Sequence, residues 1–469
     1  MSNRELCFLS VSDLSRLIRR REVSPVEVVQ ATLDRIEKLE PTIGAYVTVL
    51  REDAMQSAQR AEKEIAGGQY RGPLHGVPIS LKDIIYLKGV RNTGGSRVLA
   101  HFVPRYSATV TEKLQAAGAV IMGKAQNYEF AMGPKTTYHY GPTRNPWDLE
   151  RVTSGSSSGS GAGVSAFLAH ASLGTDTGGS IRGPACGCGV VGFKPTYGRV
   201  SRYGVIPLSW SLDHVGPLAR TVRDCALVMN AIAGGDPNDP TSLNVPVPDY
   251  TASLDRGLKG LRVGVLGGYF FEGQLPDWEA AVRQAIGVLE SGGAELREVT
   301  LPSMEAAQAA HSTILIGEAA SVHEERVRAS ARVLGPNPRT RIELGSMLLA
   351  TDYLKAQRVR TVFQRQYAEA LKDVDVVVCA VAAGPTPRFD EPPPSNDGRQ
   401  AAANAANRLR RPFNLVGAPA ISVPCGFGSE GMPVGLQVAG KPLRDEMVLR
   451  VAHAYEQMTD WHKRRPPID

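Results

Sequence analysis

Cysteine is scarce in this 469-residue chain, and the shortage is informative. The six present, Cys7, Cys186, Cys188, Cys225, Cys379 and Cys425, follow no regular spacing, and Cys186 and Cys188 stand closer together than zinc-binding pairs do. No metal site and no disulfide framework is expected, and the six read as reduced packing residues. Long apolar runs are missing too. None approaches the about 18 residues of a membrane-spanning helix, and the opening MSNRELCFLSVSDLSRL lacks the apolar core and cleavage site of a secretory signal. No membrane partner is expected, and the expected location is the cytoplasm. Neither sign of charge dominates. Against 47 acidic residues stand 53 basic ones, and the resulting +6 is too small over this length to imply a nucleic-acid partner. The basic run His462-Lys463-Arg464-Arg465 reads as a solvated tail. Cofactor signatures fail on inspection. Gly118–Ala125 imitates a phosphate loop but ends in alanine where a hydroxyl should hold magnesium, and Gly264, Gly267 and Gly268 form no dinucleotide fingerprint. No cofactor is expected.

What is present is ordinary globular composition, 42% apolar and 21% charged. Residues 1–70 read as an N-terminal helical region. Its clearest signal is Ser24-Pro25-Val26-Glu27, a capping serine, a proline at the first helical position and a glutamate closing a capping box. Val28, Val29, Ala31, Leu33 and Ile36 form the buried stripe of that helix. Thr42–Leu50 reads as extended, and Arg51–Ala66 as a charged helix ending at Gly67-Gly68. From residue 71 to 469 strands and helices alternate: strands at Ile79–Ile85, Ala119–Met122, Gly260–Leu266, Ala294–Leu301, Asp375–Ala380, Ala420–Cys425 and Val434–Val438, helices at Ala108–Ala117, Asp277–Leu289, Ser303–Arg332, Thr351–Leu371 and Leu443–Gln457, and one within Val215–Ala233. With no internal repeat and no long linker, one compact α/β unit is favoured. Lys82 sits inside an apolar strand. On strand reasoning alone it points to solvent from an edge slightly more readily than it is buried and paired.

The chain is organised around Arg151–Thr196. Ser154–Gly163 is almost wholly serine and glycine, and Gly174-Thr175-Asp176-Thr177-Gly178-Gly179-Ser180 is a second small-residue turn. Composition alone leaves two readings level. One is a flexible linker. The other is a pair of turns that bring serine hydroxyls and backbone N–H groups together, as acyl transfer requires. Gly155-Ser156-Ser157-Ser158-Gly159 formally fits the nucleophile elbow of α/β-hydrolases around Ser157, with His453 as the late histidine. Asp148–Thr153, however, makes a poor strand to precede an elbow. The alternative nucleophile is Ser180, which needs a base, and a lysine serves only when its pKa falls.

His75-Gly76-Val77-Pro78-Ile79-Ser80-Leu81-Lys82-Asp83, the Ser154–Ala162 block, the Gly174–Arg182 turn and the following Gly189–Thr196 together resemble the amidase signature family over essentially the whole chain. The resemblance implies an α/β fold with a large mixed sheet covered by helices on both faces. It also implies a Ser-cisSer-Lys triad, with Ser180 as nucleophile, Ser156 as bridging serine and Lys82 as base. Backbone N–H groups of Thr177, Gly178, Gly179 and Ser180 would form the oxyanion hole, and Asp176 would support the turn. Where the family block has glycines, this chain has Ser154 and Ser158, which leaves Ser156 and Ser157 in contention for the cis-peptide serine. The substrate pocket would draw on Tyr128, Ala131, Met132, Gly133 and the aromatic stretch to Tyr140.

Lys194-Pro195-Thr196-Tyr197-Gly198-Arg199-Val200-Ser201-Arg202 resembles the glutamine-dependent amidotransferase branch of the family. That branch implies an acidic residue holding the ammonium of glutamine, and the matching position here is Asn407, followed by Arg408, Arg410 and Arg411. The missing carboxylate favours a stand-alone hydrolase of a small-molecule amide, ester or carbamate, a homodimer at most. The alternatives are a glutamine-hydrolysing component of a tRNA-dependent amidotransferase, the elbow hydrolase and a non-catalytic binding protein.

Overall fold

The computed structural model describes residues 2–133, 138–391 and 407–469. Its strands are β1 (Tyr46–Val49), β2 (Pro78–Lys82), β3 (Val120–Ala125), β4 (Arg144–Asn145), β5 (Asp148–Val152), β6 (Ala171–Asp176), β7 (Val191–Lys194), β8 (His214–Ala219), β9 (Arg262–Leu266), β10 (Glu295–Val299), β11 (Val376–Ala380), β12 (Ala420–Phe427) and β13 (Pro433–Gly440). Eleven form one sheet in the order β1-β3-β2-β6-β8-β7-β12-β13-β11-β9-β10, and β4 and β5 pair separately. The sheet is mixed. β2 runs parallel to β3 and β6, β9 runs parallel to β10 and β11, and antiparallel pairs join the two groups.

Helices α1 (Asn3–Phe8), α2 (Val11–Arg19), α3 (Pro25–Ile43) and α4 (Arg51–Ala66) precede β2. The connections carry α5 (Thr109–Ala116), α6 (Ser158–Ser165), α7 (Arg182–Cys188), α8 (Val222–Ile232) and α9 (Pro276–Ser291). A helical run of α10 (Met304–Ser330), α11 (Pro336–Ser346) and α12 (Ala350–Ala370) follows, and α13 (Arg411–Leu415) and α14 (Asp445–Gln457) complete the set among the described residues. Central strands are buried along their whole length, which requires cover on both faces. One hydrophobic cluster runs from Leu6 to Tyr455. Among the described residues no helix is long and apolar enough to cross a membrane.

Several expectations meet their elements. Ser24 caps α3 through the full capping box with Glu27, and the stripe Val28, Val29, Ala31, Leu33 and Ile36 is buried. β9, α9 and β10 make the expected parallel unit. Others differ. The helix expected within Val215–Ala233 is α8, and before it strand β8 (His214–Ala219) goes unseparated in the sequence, because a six-residue buried strand carries no period to set it apart from the helix. Of the stretch read as extended, Thr42 and Ile43 instead end α3, while Tyr46–Val49 is strand β1 and pairs with β3 at the sheet edge.

The Ser/Gly block is a buried helix and not a linker. All eight residues of α6 are buried, although glycine and serine are weak helix formers. Tertiary packing decides the matter here. A methyl group at Gly159 would press on the carbonyl oxygen of Ala45 and on Gln126, whereas one at Gly163 would meet only the Ala45 methyl at 3.8 Å. Gly159→Ala is therefore expected to destabilise the fold by about 3 kcal/mol through overpacking. Gly163→Ala, in the same helix, should be neutral or stabilising by up to about 1 kcal/mol. Urea denaturation of the two variants checks the contrast, and equal effects would contradict the close packing.

Candidate active site

Parallel pairing of β2 with β6 puts the carboxyl ends of both strands at one edge, the customary place for a site in such sheets. Lys82 ends β2, and Asp176 ends β6. Lys82 is completely buried, so the solvent-facing placement favoured by strand reasoning is incorrect. β2 is an interior strand flanked by β3 and β6, and it offers no edge. Lys82 Nζ lies 2.8 Å from Ser156 Oγ and 2.7 Å from Thr175 Oγ1. Burial pushes its pKa down to about 7, against the opposing pull of Asp213 and Asp176. A neutral amine can donate to Thr175 and accept the Ser156 proton on its lone pair. Thr175 and Asp213 are functional neighbours that sequence reasoning missed.

Ser156 follows the cis peptide bond, which lies between Gly155 and Ser156. Its carbonyl accepts the Tyr128 N–H at 3.1 Å, and the Tyr128 ring fills the space where Gly155 lacks a side chain. Ser157 is occupied otherwise. Its hydroxyl donates to the Thr175 carbonyl at 3.2 Å and accepts the Thr175 N–H at 3.2 Å, while its N–H donates to the Ser180 carbonyl at 3.3 Å. The last bond ties the two small-residue turns together. His453 Nε2 lies 3.3 Å from Asp255 Oδ1, so it serves a surface carboxylate and not Ser157. The elbow geometry is absent among the described residues.

The Gly174–Arg182 turn is held by Asp176. Its carboxylate accepts the Gly179 N–H at 2.7 Å and the Ile181 N–H at 3.1 Å. Burial alone would raise its pKa, but the charge and hydrogen bonds of Arg182, with Lys194 and Asn414, hold it well below the usual carboxylate range. Since the Gly179 N–H is taken, the donors without an acceptor among the described residues are those of Thr177, Gly178 and Ser180. Thr177 Oγ1 donates to Asp213 at 2.6 Å. Ser180 itself is half-buried and reachable.

The expected pocket residues separate. Ala131 helps line a cavity of about 230 Å³ that Thr175, Asp213 and Trp210 also border, and Ser180 is not in its wall. Met132 is buried in the core, and Gly133 packs against the Asn337 side chain. Residues 134–137 of the aromatic stretch lie outside the described residues, while Tyr138 meets Tyr128 edge-on at 6.5 Å. Asn407 accepts from Arg410 at 2.7 Å, and the Arg410 side chain covers Gly179 and Gly183.

The chain belongs to the amidase family, whose description matches residues 27–449. It is a hydrolase of carbon–nitrogen bonds other than peptide bonds. The glutamyl-tRNA(Gln) amidotransferase A subunit of Geobacter sp. (strain M21) is 44% identical over 489 residues, covering 99% of this chain and 100% of that one. The solved A subunit of the same enzyme from Thermotoga maritima is 34% identical, with a TM-score of 0.78 over 97% of this chain and 94% of that one. A 6-aminohexanoate cyclic dimer hydrolase is 28% identical, with a TM-score of 0.88 over 98% and 99% of the two chains.

Eight curated relatives, 42–44% identical over nearly the full length, carry the name of the amidotransferase A subunit. They overturn the expectation of a stand-alone hydrolase of small-molecule amides, esters or carbamates. That expectation leaned on one side chain, Asn407, and whole-chain identity constrains far more positions. Because the name specifies a tRNA and one member of a larger assembly, the expectation of small-molecule partners only, with no nucleic acid, falls with it.

The form of Lys82 that can accept a proton is the uncharged one, so kcat/KM is expected to rise with pH through about 7. Asp213→Asn removes an opposing charge and should move that limb to lower pH by about one unit. A pH–rate profile of both proteins checks this, and an unmoved limb would remove Asp213 from the electrostatics of the lysine.

Proposed function

We propose that the chain is the glutamine-hydrolysing A subunit of a tRNA-dependent amidotransferase, working in the cytoplasm with companion subunits and glutamyl-tRNA(Gln). The observation that carries this reading is the identity of 42–44% with relatives of that name along essentially the whole length. The site supplies chemistry suited to it. Ser180 Oγ attacks the side-chain amide carbon of glutamine while its proton passes to Ser156 Oγ and the Ser156 proton passes to Lys82 Nζ. N–H groups of Thr177, Gly178 and Ser180 face the oxyanion of the tetrahedral intermediate. Collapse breaks the C–N bond, and the proton returns from Lys82 through Ser156 to the leaving ammonia. Water then cleaves the γ-glutamyl ester by the same relay, releasing glutamate and restoring Ser180.

Support for the relay is the 2.8 Å contact between the Ser156 hydroxyl and a fully buried lysine whose pKa is pushed down to about 7. His311 and His214, the imidazoles nearest the turn, are bound to backbone carbonyls and pushed far below their usual pKa by burial, so neither suits a base. Tyr128, whose ring packs over Gly155, heads the proposed acyl pocket. Ester and carbamate cleavage share the oxyanion step, but the relatives' name points to transfer of an amide nitrogen.

The test is amide transfer by the protein assembled with its companion subunits and supplied with glutamyl-tRNA(Gln). Wild type should make glutaminyl-tRNA from glutamine or from ammonium chloride. Ser180→Ala should lose the glutamine-dependent reaction by more than about a thousandfold and keep the ammonium-dependent one. Wild-type assemblies that use ammonium but never glutamine would overturn the reading.

A further inference from the structure

The long helix α10 delivers one imidazole to the oxyanion turn. His311 is fully buried, and its Nε2 lies 2.9 Å from the carbonyl oxygen of Thr177. A carbonyl oxygen only accepts, so Nε2 carries the proton. Burial, aided by the nearby charges of Arg411 and Arg360 and opposed by Asp176, lowers the imidazole pKa to about 3. The ring is therefore neutral, with a bare Nδ1 that has no partner among the described residues. The ring also packs hard against the next residue. A methyl group placed on Gly178 would stand 3.1 Å from Cε1 and 3.3 Å from Nε2.

Among the described residues the one cis peptide is Gly155–Ser156, so the Thr177–Gly178 bond is trans. In a planar trans peptide the C=O and N–H point in opposite directions. Holding the Thr177 oxygen toward α10 therefore turns the Gly178 N–H away from α10. There it meets no acceptor among the described residues, two positions before Ser180. The turn has other restraints: Asp213 holds the Thr177 hydroxyl, and Asp176 holds the Gly179 N–H. Neither acts on the peptide group that carries the Gly178 N–H. His311 does.

We propose that His311 is the positioning residue of the oxyanion hole, fixing the Thr177 carbonyl so that the Gly178 N–H is aimed at the substrate oxygen. The inference rests on the reading of Ser180 as nucleophile. Its test therefore uses probes that do not depend on the natural amide: a fluorophosphonate for labelling and p-nitrophenyl acetate for turnover.

Three variants separate the possibilities. The amide nitrogen of glutamine falls near the position of Nε2 and that of asparagine near Nδ1, while phenylalanine keeps the ring and loses both. His311→Phe and His311→Asn should lower kcat per titrated site and the fluorophosphonate rate by about ten- to a hundredfold. KM should stay within about twofold, and the acid limb of the pH profile should not move, since Lys82 is untouched. His311→Gln should recover most of the loss. A merely structural role would instead lower the titratable fraction and the melting temperature while each remaining site turned over normally, and that result would overturn the proposal. So would a loss confined to KM, or Gln performing no better than Asn. If Ser180→Ala still takes up the fluorophosphonate, the reading of the nucleophile fails, and that outcome is distinguishable from a failure of the role given to His311.

Discussion

The buried ion pair between Asp176 and Arg182 is the constraint on which the rest of the site depends. Both side chains are completely buried. A guanidinium has five N–H donors, and each finds an acceptor here. Nε reaches Asp176 Oδ2 at 3.1 Å, one terminal nitrogen reaches Asp176 Oδ1 and Asn414 Oδ1, and the other reaches Gln437 Oε1 and the Arg410 carbonyl. A buried pair is not in itself strong evidence of stabilisation, but removing one partner strands a charge at a cost of about 3–5 kcal/mol. The pair also spans the molecule. It joins the end of β6, the start of α7, α13 and β13, and through the Gly179 and Ile181 N–H groups it sets the path of the chain on either side of Ser180.

Three lysines, Lys82, Lys124 and Lys194, are fully buried, and burial lowers the pKa of each. A lowered pKa does not distinguish the three. Their partners do. Lys124 binds the Ile85 carbonyl and the Asn92 side-chain oxygen, and Lys194 binds the carbonyls of Pro195 and Ala418. Those oxygens accept and have no proton to give. Lys82 faces two hydroxyls, Ser156 and Thr175, which can donate to an uncharged amine. The difference between a structural and a chemically useful buried lysine lies in that partner chemistry.

Local signals made much of the fold legible: the capping box of α3, the strand–helix–strand run from β9 to β10, and the closing helix α14. Local grounds misplace Lys82 because strand periodicity says nothing of neighbours, and only the order β3-β2-β6 shows that β2 has no free edge. The family resemblance supplied the residues at Lys82, Ser156 and Ser180 that spacing alone could not connect. His311 and Asp213 escaped notice for a different reason. Each lies outside the turn in sequence and carries no motif; His311 reaches it through one hydrogen bond to Thr177, and Asp213 through the Thr177 hydroxyl and its charge near Lys82.

The small residues of the Thr177–Ser180 turn answer two demands at once. Exposed N–H groups need side chains out of the way, which is how Thr177-Gly178-Gly179-Ser180 reads as a sequence. The structure adds a second demand. Side-chain space at Gly178 is occupied by His311 and Arg411, and at Gly179 and Gly183 by Arg410. Three side chains from α10 and the start of α13 thus pack where the turn has none. A methyl group there would do more than obstruct a ligand: it would displace the groups that hold the turn in place. The site's geometry is consequently set by residues far apart in the chain. This is why a short motif can mark the family, while the chain's remaining length decides what the site is used for.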